Sequence, residues 1–259
     1  MQAIDDPADP RVDAYRSLRA RESGRLMWAE GPTVLERLVA SSHRIRSVLL
    51  STAAHDRLAA LVAGIDAPVY VAPQSVVNAI VGFDLHRGTI AVADRPALTP
   101  LADAVGAARR VLVLEGLNDA ENLGAIARSA RGLGADAIVL DPTCADPWYR
   151  RTVRVSMGEV LHLPIARAPI TDGLEALAAA GFAIWALTPR RDADDIAVVA
   201  RDGVPERLAL VLGAEGPGLS DLVLAHHRNV RIPLRDEVDS LNVGHAAAAA
   251  LAVVQSSTA

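Results

Sequence analysis

Two polar side chains, Ser240 and Asn242, lie where an apolar strand, Val230–Ile232, passes through a turn into an alanine-rich helix. The start of a helix leaves backbone N–H groups unpaired, so side chains there either cap the helix or help the loop to hold a ligand. Capping alone is the simpler interpretation of such a pair. Two further turns of the same kind favour the ligand-binding interpretation.

The first of these turns follows the apolar run Val111–Leu114 and leads into a second helix. Asn122 is the expected N-cap, and Gly132 or Gly134 is expected to end the helix. Arg128 falls outside the buried stripe that helical spacing predicts, which comprises Leu123, Ile126, Ala127, Ala130 and Leu133.

The second turn follows the apolar run Leu208–Leu212 and places Gly213, Gly216 and Gly218 around Glu215. Glycine allows a ligand to approach the backbone closely. All three turns follow predicted strands, and ligands of open α/β sheets bind at the carboxyl ends of strands. The three turns therefore predict one composite site.

In order along the chain, these turns resemble the signature motifs of the SpoU/TrmH-type RNA ribose 2′-O-methyltransferases of the SPOUT superfamily. The family motif D-P-x-N-x-G with a following arginine resembles residues 119–124 with Arg128. The motif G-x-E-G-x-G-L resembles residues 213–219, and S-L-N-V is found at 240–243. A weaker match to the family segment R-x-S-M-G lies at 154–158.

The resemblance implies methyl transfer from S-adenosylmethionine to a ribose 2′-hydroxyl. A hydroxyl is a poor nucleophile, so the enzyme must remove its proton or stabilise the alkoxide, and must align it with the methyl group. By resemblance Arg128 has this role; the pKa of arginine exceeds ~12, which makes it a poor base, so alkoxide stabilisation is equally open. The implied catalytic residues are Asn122, Arg128, Glu215, Ser240 and Asn242. The matching cofactor positions are Leu187, Thr188, Gly213, Glu215, Gly218, Ile232 and Leu241.

Each of these roles has a structural alternative. Asn122 would orient Arg128 or the ribose, or it would only cap its helix. Glu215 would position the substrate or order its loop, or it would be a solvated turn carboxylate. Ser240 and Asn242 would shape the third loop and assist at the hydroxyl.

The sequence departs from the family pattern at three places. Ala120 replaces the usual proline, and Asp236 stands where glycine is common; both changes can alter loop geometry. Gly244 and His245 replace a small and an apolar residue. A histidine on a helix face with a local partner is the favoured interpretation of His245.

Alternation of strands and helices from about residue 109 predicts a parallel sheet flanked by helices, an α/β fold. The predicted strands are Val111–Leu114, Ala137–Leu140, Phe182–Leu187, Leu208–Leu212 and Val230–Ile232. The resemblance adds a C-terminal trefoil knot that includes the helix Val243–Val254, and a homodimer whose site draws on both chains.

Residues 1–94 form a predicted small α/β domain, residues 95–108 a proline-containing linker, and residues 109–259 the methyltransferase domain. The predicted elements of the first domain are helices near 33–40, 54–63 and 75–80 and strands at 47–50, 69–71 and 89–92. The resemblance implies that this domain is similar to ribosomal RNA-binding proteins and binds the RNA substrate.

The formal net charge of −5 is unusual for a nucleic-acid-binding protein, because phosphate contacts favour basic surfaces. All 26 basic residues are arginines, a bias that a GC-rich genome would also produce. Arginines clustered between residues 11 and 46 predict either a basic face or a solvated helix surface. The candidate RNA contacts are Arg16, Arg19, Arg25, His86, Arg87 and Arg154.

The single cysteine, Cys144, rules out an intramolecular disulfide and offers no metal cluster. No apolar run is long enough to span a bilayer, and the acidic N-terminus is unlike a secretory signal, so we expect a cytoplasmic protein without structural metal.

A Rossmann dehydrogenase is disfavoured because no G-x-G-x-x-G follows a first strand. A noncatalytic RNA-binding protein that keeps the fold is the stronger alternative. Ribosomal RNA of the large subunit is favoured over transfer RNA as the substrate.

Overall fold

In the computed structural model of this chain, residues 1–19 and 24–257 are described, with only the backbone for Ser17 and Arg19. The chain forms two compact units. The first comprises Met1–Pro96 and Pro147–Leu161, and the second comprises Ala97–Asp146 and His162–Ala259. The segment 147–161, assigned from sequence to the methyltransferase domain, is thus part of the first unit.

The elements of both units are numbered along the chain. The strands are β1 Gln2–Ala3, β2 Leu26–Glu30, β3 Ile45–Ser51, β4 Val69–Ala72, β5 Thr89–Asp94, β6 Arg110–Glu115, β7 Ala137–Leu140, β8 Ile165–Arg167, β9 Ala183–Leu187, β10 Asp194–Asp195, β11 Leu208–Gly213 and β12 Arg228–Arg231. The α-helices are α1 Pro32–Val39, α2 Thr52–Val62, α3 Gln74–Val81, α4 Leu101–Gly106, α5 Ala120–Gly132, α6 Arg150–Val155, α7 Ile170–Ala179, α8 Ile196–Asp202, α9 Asp221–His226 and α10 Val243–Ser256. Short 3₁₀ helices cover Pro10–Arg19 and Glu159–His162.

The first unit contains a mixed five-stranded sheet in the order β1-β4-β3-β5-β2. Strands β1, β4 and β3 are parallel, while β5 runs antiparallel to both β3 and β2. The three strands and three helices predicted for this domain are confirmed as β3, β4, β5 and α1 to α3. Strands β1 and β2 were not predicted; β1 has two residues, and β2 follows the arginine-rich segment that was interpreted only as a charged surface. Helix α6 packs against β2.

The second unit contains a seven-stranded parallel sheet in the order β10-β12-β9-β11-β6-β7-β8. Its central strands, β11 and β6, pair along six residues each and are covered by apolar side chains on both faces. Buried parallel strands read as nearly continuous apolar runs, which explains why the five predicted strands are confirmed. Strands β8 and β10, of three and two residues, are too short to give such a run.

The predicted linker, 95–108, contains a helix of the second unit. Residues 95–100 carry no helix or strand, but α4 follows directly and buries Ala104 and Val105 in the core of that unit. The exposed connection is therefore shorter than predicted. Among the described residues, no helix combines the length and hydropathy needed to cross a membrane.

Candidate active site

The first motif loop lies between β6 and α5. Asp119, and not Asn122 as predicted, is the N-cap of α5: its Oδ1 accepts a hydrogen bond of 2.8 Å from the backbone N–H of Asn122. Because Asp119, three residues earlier, takes the capping position, the side chain of Asn122 is available for another contact. The helix ends at Gly132, and Gly134 adopts a left-handed φ of 78° just beyond it.

The second motif loop closes tightly on itself after β11. The N–H of Gly218 donates to the carbonyl of Ala214 at 3.0 Å, and Gly216 and Gly218 have φ values of 92° and 72°. A Cβ on Gly213 would lie 2.2 Å from the carbonyl carbon of Gly218, so only glycine fits there. This closed turn displays Glu215 at its exposed tip.

The third motif loop ends at Asn242, whose side chain is used at both of its polar atoms. Its Oδ1 caps α10 by accepting from the N–H groups of Gly244 at 3.0 Å and His245 at 3.3 Å. Its Nδ2 donates to Asn122 Oδ1 at 2.8 Å and to Glu215 Oε1 at 2.6 Å. The sequence left helix capping and a contact in the site as alternatives for Asn242, and its side chain makes both. One amide group therefore joins all three loops.

The capping of α10 by Asn242 also determines how the side chains of Asn122 and Glu215 are oriented. Oδ1 of Asn242 must accept from the helix, so its amino group must point to Asn122 and Glu215. Asn122 then accepts through Oδ1, which leaves its own amino group as a donor without a partner among the described residues. The second carboxylate oxygen of Glu215 is likewise an acceptor without a described partner. Asn122 thus offers a donor group to a ligand, and Glu215 offers an acceptor.

A cavity of about 470 Å³ lies beside these groups. All seven cofactor positions predicted from sequence line it, together with Ser240 and Asn242 of the catalytic set. The complete lining is Leu187, Thr188, Pro189, Leu212, Gly213, Ala214, Glu215, Gly216, Gly218, Leu219, Ile232, Leu234, Ser240, Leu241, Asn242, Val243 and Ala246. Most of these residues belong to the turns after β9, β11 and β12, as expected for the carboxyl edge of a parallel sheet.

Close contact between α10 and α5 brings the first and third loops together. A Cβ on Gly244 would lie 3.2 Å from the Cβ of Ala125, so the smallest residue allows the two helices to approach. The departure from the family pattern at this position therefore has a packing reason. His245 is exposed and its ring has no partner among the described residues, so the predicted local partner is wrong.

Arg128 lies apart from this group of residues. It is exposed on α5, does not line the cavity, and forms no hydrogen bond or ion pair with any described residue. Six residues along an α-helix correspond to about 9 Å of rise and about 240° of rotation, so Asn122 and Arg128 face different directions. The predicted orientation of Arg128 by Asn122 is therefore wrong within one chain, while a contact of Asn122 with ribose remains a prediction.

Asp141, which sequence analysis did not single out, supports the first motif loop. Its carboxylate accepts from the backbone N–H of Gly116 at 2.7 Å and from both the N–H and the hydroxyl of Thr143 at 2.7 Å. Burial raises the pKa of Asp141, but the hydrogen bonds from Thr143 and Gly116 outweigh it and hold the pKa below its usual value of 3.8. The available signal was its position directly after the strand Ala137–Leu140.

Arg167 completes this support from β8. Its guanidinium donates to the carbonyls of Asp141, Pro142, Cys144 and Ala145 at 2.9 to 3.1 Å. The N–H of Ala145 in turn donates to the carbonyl of Leu117 at 2.7 Å. The loop after β7 is thus fixed from both sides and braces the loop before α5.

In the first unit, the predicted basic face is partly neutralised. Arg16 pairs with Asp13 and donates to the carbonyl of Asp9 at 2.8 Å, and Arg11 pairs with Asp9 at 2.6 Å. These ion pairs reduce the net positive charge that the two arginines present at the surface. Arg25 is exposed. The Arg19 side chain and Arg21 lie outside the described residues.

The other three candidate RNA contacts, His86, Arg87 and Arg154, line a second cavity, within the first unit. His86 and Arg87 are exposed, and His86 Nδ1 lies 3.1 Å from Asp84 Oδ2. The structure therefore brings together residues that were predicted from two separate motifs.

Comparisons with known proteins agree with this site. A family profile described as the SpoU rRNA Methylase family matches residues 109–252. An uncharacterized tRNA/rRNA methyltransferase of Mycobacterium tuberculosis is 43% identical over 263 residues, covering 96% of this chain and 90% of that protein. The 23S rRNA (guanosine(2553)-2′-O)-methyltransferase of Bacillus subtilis is 26% identical, covering 96% of this chain and 97% of that protein.

A solved structure extends the agreement to the whole fold. The AdoMet-bound rRNA methyltransferase from Sinorhizobium meliloti has a TM-score of 0.83 at 25% identity, covering 98% of this chain and 97% of that one. These matches define an RNA methyltransferase. The chain belongs to the SpoU rRNA methylase family, which confirms the resemblance inferred from the three motifs.

Proposed function

We propose that this enzyme transfers a methyl group from S-adenosylmethionine to a ribose 2′-hydroxyl of structured RNA, and that ribosomal RNA is its substrate in preference to transfer RNA. The observation that carries the proposal is the amide of Asn242, which joins three loops beside a cavity of about 470 Å³. The name of the B. subtilis relative supports a ribose 2′-hydroxyl as the methylated group and ribosomal RNA as the substrate. The AdoMet bound in the S. meliloti structure supports S-adenosylmethionine as the cofactor.

The cavity suits the cofactor in both size and lining. Its volume lies in the range of small-molecule sites, which is roughly 300 to 1,000 Å³. Backbone groups at Leu187, Gly213 and Leu241 can bind the polar edges of S-adenosylmethionine, and the side chains of Ile232 and Leu234 supply apolar contacts. When bound, the cofactor supplies an electrophilic methyl group on a sulfonium.

The polar groups beside the cavity hold the target ribose. The amino group of Asn122 donates to a ribose oxygen, and the free oxygen of Glu215 accepts from a ribose hydroxyl. Asn242 holds both groups in place before substrate arrives, so little ordering is left for the reactive complex. Ser240, which lines the cavity without a hydrogen bond to a described residue, assists at the same hydroxyl.

Arg128 acts on the 2′-hydroxyl, either by removing its proton or by stabilising the alkoxide. Its exposure, its lack of a described partner and its absence from the cavity of its own chain support a homodimer in which Arg128 of the partner subunit completes the site. The packing of α10 on α5 is compatible with the trefoil knot of the family, which we include in the proposal.

The first unit binds the RNA substrate, in keeping with the domain division predicted from sequence. Three of the candidate RNA contacts support this role because they line one cavity: His86, Arg87 and Arg154. Arg25 is a further exposed candidate.

Two measurements test the proposed function on the full chain. Calorimetry should show S-adenosylmethionine binding and no NAD(H) binding; a protein that binds neither would be the noncatalytic RNA-binding alternative. Mapping of 2′-O-methyl groups in cells with and without the gene should show a mark lost from ribosomal RNA. A mark lost from transfer RNA instead would overturn the choice of substrate.

A further inference from the structure

The cavity of the first unit has the size and lining of a binding site. Its volume is about 440 Å³, close to that of the cofactor cavity and within the range of small-molecule sites. Two turns form most of its wall, residues 30–34 before and within α1 and residues 83–87 between α3 and β5. Arg154 and Met157, at and after the end of α6, complete it.

The polar part of the lining carries arginines and carboxylates side by side. The partly buried carboxylate of Glu30 pairs with Arg150 and lies 3.5 Å from Arg154 Nη1, so one carboxylate holds two guanidinium groups. Arg87 is exposed, and its guanidinium has no partner among the described residues. Asp84 at the rim is the second carboxylate, and His86 lies beside it. Within the lining, Arg87 and Arg154 balance Glu30 and Asp84 when His86 is neutral, and Arg150, outside the lining, adds a third guanidinium group at Glu30.

The remaining wall is apolar and includes an aromatic ring. Phe83, Pro32, Val34 and Leu85 line the cavity, and the guanidinium carbon of Arg150 lies 5.0 Å from the centroid of the Phe83 ring. Met157 reaches the cavity from a tight turn, at a φ of 56°. A flat apolar surface next to guanidinium groups and carboxylate acceptors matches the parts of a nucleotide: a stacking base with polar edges, and a phosphate.

We propose that this cavity binds a single unstacked nucleotide of RNA, with the base against the apolar wall and the phosphate at Arg87 and Arg154. Proteins that read RNA commonly bind bases splayed out of loops, stacking them on aromatic rings or guanidinium planes. The carboxylates of Glu30 and Asp84 can accept from amino groups of the base. The inference rests on the proposed function, because it names how the first unit binds the substrate RNA.

The test uses the full chain without S-adenosylmethionine, so that it does not depend on catalysis. Fluorescence anisotropy is measured with labelled single-stranded RNA 10-mers of U and of A and with a 10-base-pair RNA duplex; unlabelled AMP, GMP, CMP and UMP serve as competitors. We expect the single strands to bind more tightly than the duplex and to be displaced by at least one of the free nucleotides.

Two variants and a control connect the binding to the cavity. Arg87→Ala should weaken binding of the single strands about five- to tenfold and reduce the slope of log affinity against log salt by roughly 0.7, the value for one phosphate contact. Thr33→Trp, which fills the cavity without changing charge, should weaken binding by at least about tenfold. Arg44→Ala removes the same charge from an exposed position of the first unit outside the cavity and should have less than about twofold effect.

The opposite results would overturn the proposal. If Thr33→Trp binds RNA like the wild type, or if Arg44→Ala weakens binding as much as Arg87→Ala, then the cavity is not the site. Tighter binding of the duplex, or no binding of single strands, would also reject it. Circular dichroism and thermal unfolding show whether each variant is folded. Calorimetric binding of S-adenosylmethionine then separates failure of this inference from failure of the proposed methyltransferase function.

Discussion

The two cavities of this protein are nearly equal in volume, about 470 and 440 Å³, but they are built differently. The proposed cofactor cavity is lined by loops that follow parallel strands, and one of these loops is a closed turn that needs glycine at Gly213. The cavity of the first unit is lined by charged and apolar side chains from two turns and the end of a helix. We therefore expect one added methyl group to abolish ligand binding in the first cavity. Removal of one charge should weaken ligand binding in the second cavity by a smaller factor.

Gly213→Ala should give the largest effect. The new methyl group would lie 2.2 to 2.4 Å from backbone atoms of Gly218 and Leu219, which belong to the same closed turn and cannot move without opening it. We expect calorimetric affinity for S-adenosylmethionine to fall roughly 100-fold or more.

Gly132→Ala is the matched control, because a Cβ at Gly132 meets no atom within 4 Å. It should bind the cofactor like the wild type and be slightly more stable, as alanine favours helix. Equal cofactor affinity for the wild type and Gly213→Ala would contradict a cavity shaped by the backbone.

Arg128→Ala should reduce turnover about 100- to 1,000-fold, the typical cost of removing one group that stabilises charge in a transition state. Affinity for S-adenosylmethionine should be unchanged, because Arg128 does not line the cavity. Single-turnover methylation and calorimetry measure the two quantities separately.

Mixing the Arg128→Ala and Asn242→Ala proteins tests where Arg128 acts. If the site combines Arg128 of one subunit with the loops of the other, mixed dimers contain one intact site and activity returns. Mixed protein that stays as inactive as its two components would place Arg128 in the site of its own chain.

Asp141→Asn should lower the thermal stability of the protein by an intermediate amount that depends on pH. The folded-state pKa lies below 3.8, so the stabilisation by this carboxylate is fully present above about pH 4 and is lost as pH falls through the folded-state value. We expect the variant to unfold several degrees below the wild type at pH 7, since hydrogen bonds to a buried charged group contribute ~1–3 kcal/mol. The difference should shrink at pH 3.

Asp136→Asn provides the comparison for this prediction. Asp136 also accepts two backbone hydrogen bonds, from Arg109 at 2.7 Å and Arg110 at 2.8 Å, but it is exposed at the opposite end of β6. Its replacement should leave methylation unchanged, whereas Asp141→Asn should slow it by loosening the first motif loop. Equal turnover in both variants would show that Asp141 has no positioning role.

Asp236→Gly, which restores the residue common in the family, should have the smallest effect. Asp236 pairs with Arg191 at 3.0 Å, but both side chains are largely exposed, and such pairs contribute about 0 to 1 kcal/mol. Cofactor affinity should stay within about threefold of the wild type. A tenfold change would mean that this pair shapes the cavity mouth.

The contrast between the two cavities also explains what could be predicted from the sequence. Loops after buried strands leave local signals, so Gly213, Glu215 and Asn242 were recognised, and all seven cofactor positions line one cavity. The N-cap was misplaced at Asn122 because Asp119, three residues earlier, is an equally good cap, and only the contact with Asn242 distinguishes the two.

The cavity of the first unit left no such local signal. Glu30, Phe83 and Arg154 are far apart in the sequence and meet only because the segment 147–161 belongs to the first unit. His86, Arg87 and Arg154 were each proposed as RNA contacts, but their common site required the fold. Likewise, the pairing of Arg16 with Asp13 depends on how the 3₁₀ helix turns, which its charges alone did not reveal.

The central claim is that the amide of Asn242 joins the three loops of the active site, and calorimetry of S-adenosylmethionine binding to Asn242→Asp with and without Glu215→Gln tests it most directly. Aspartate caps a helix as well as asparagine, but it cannot donate to Glu215 and places a second negative charge against it. We expect the single variant to bind about tenfold more weakly, and the double variant to bind within about threefold of Glu215→Gln alone. Wild-type affinity for Asn242→Asp, or effects of the two changes that simply add, would contradict the claim.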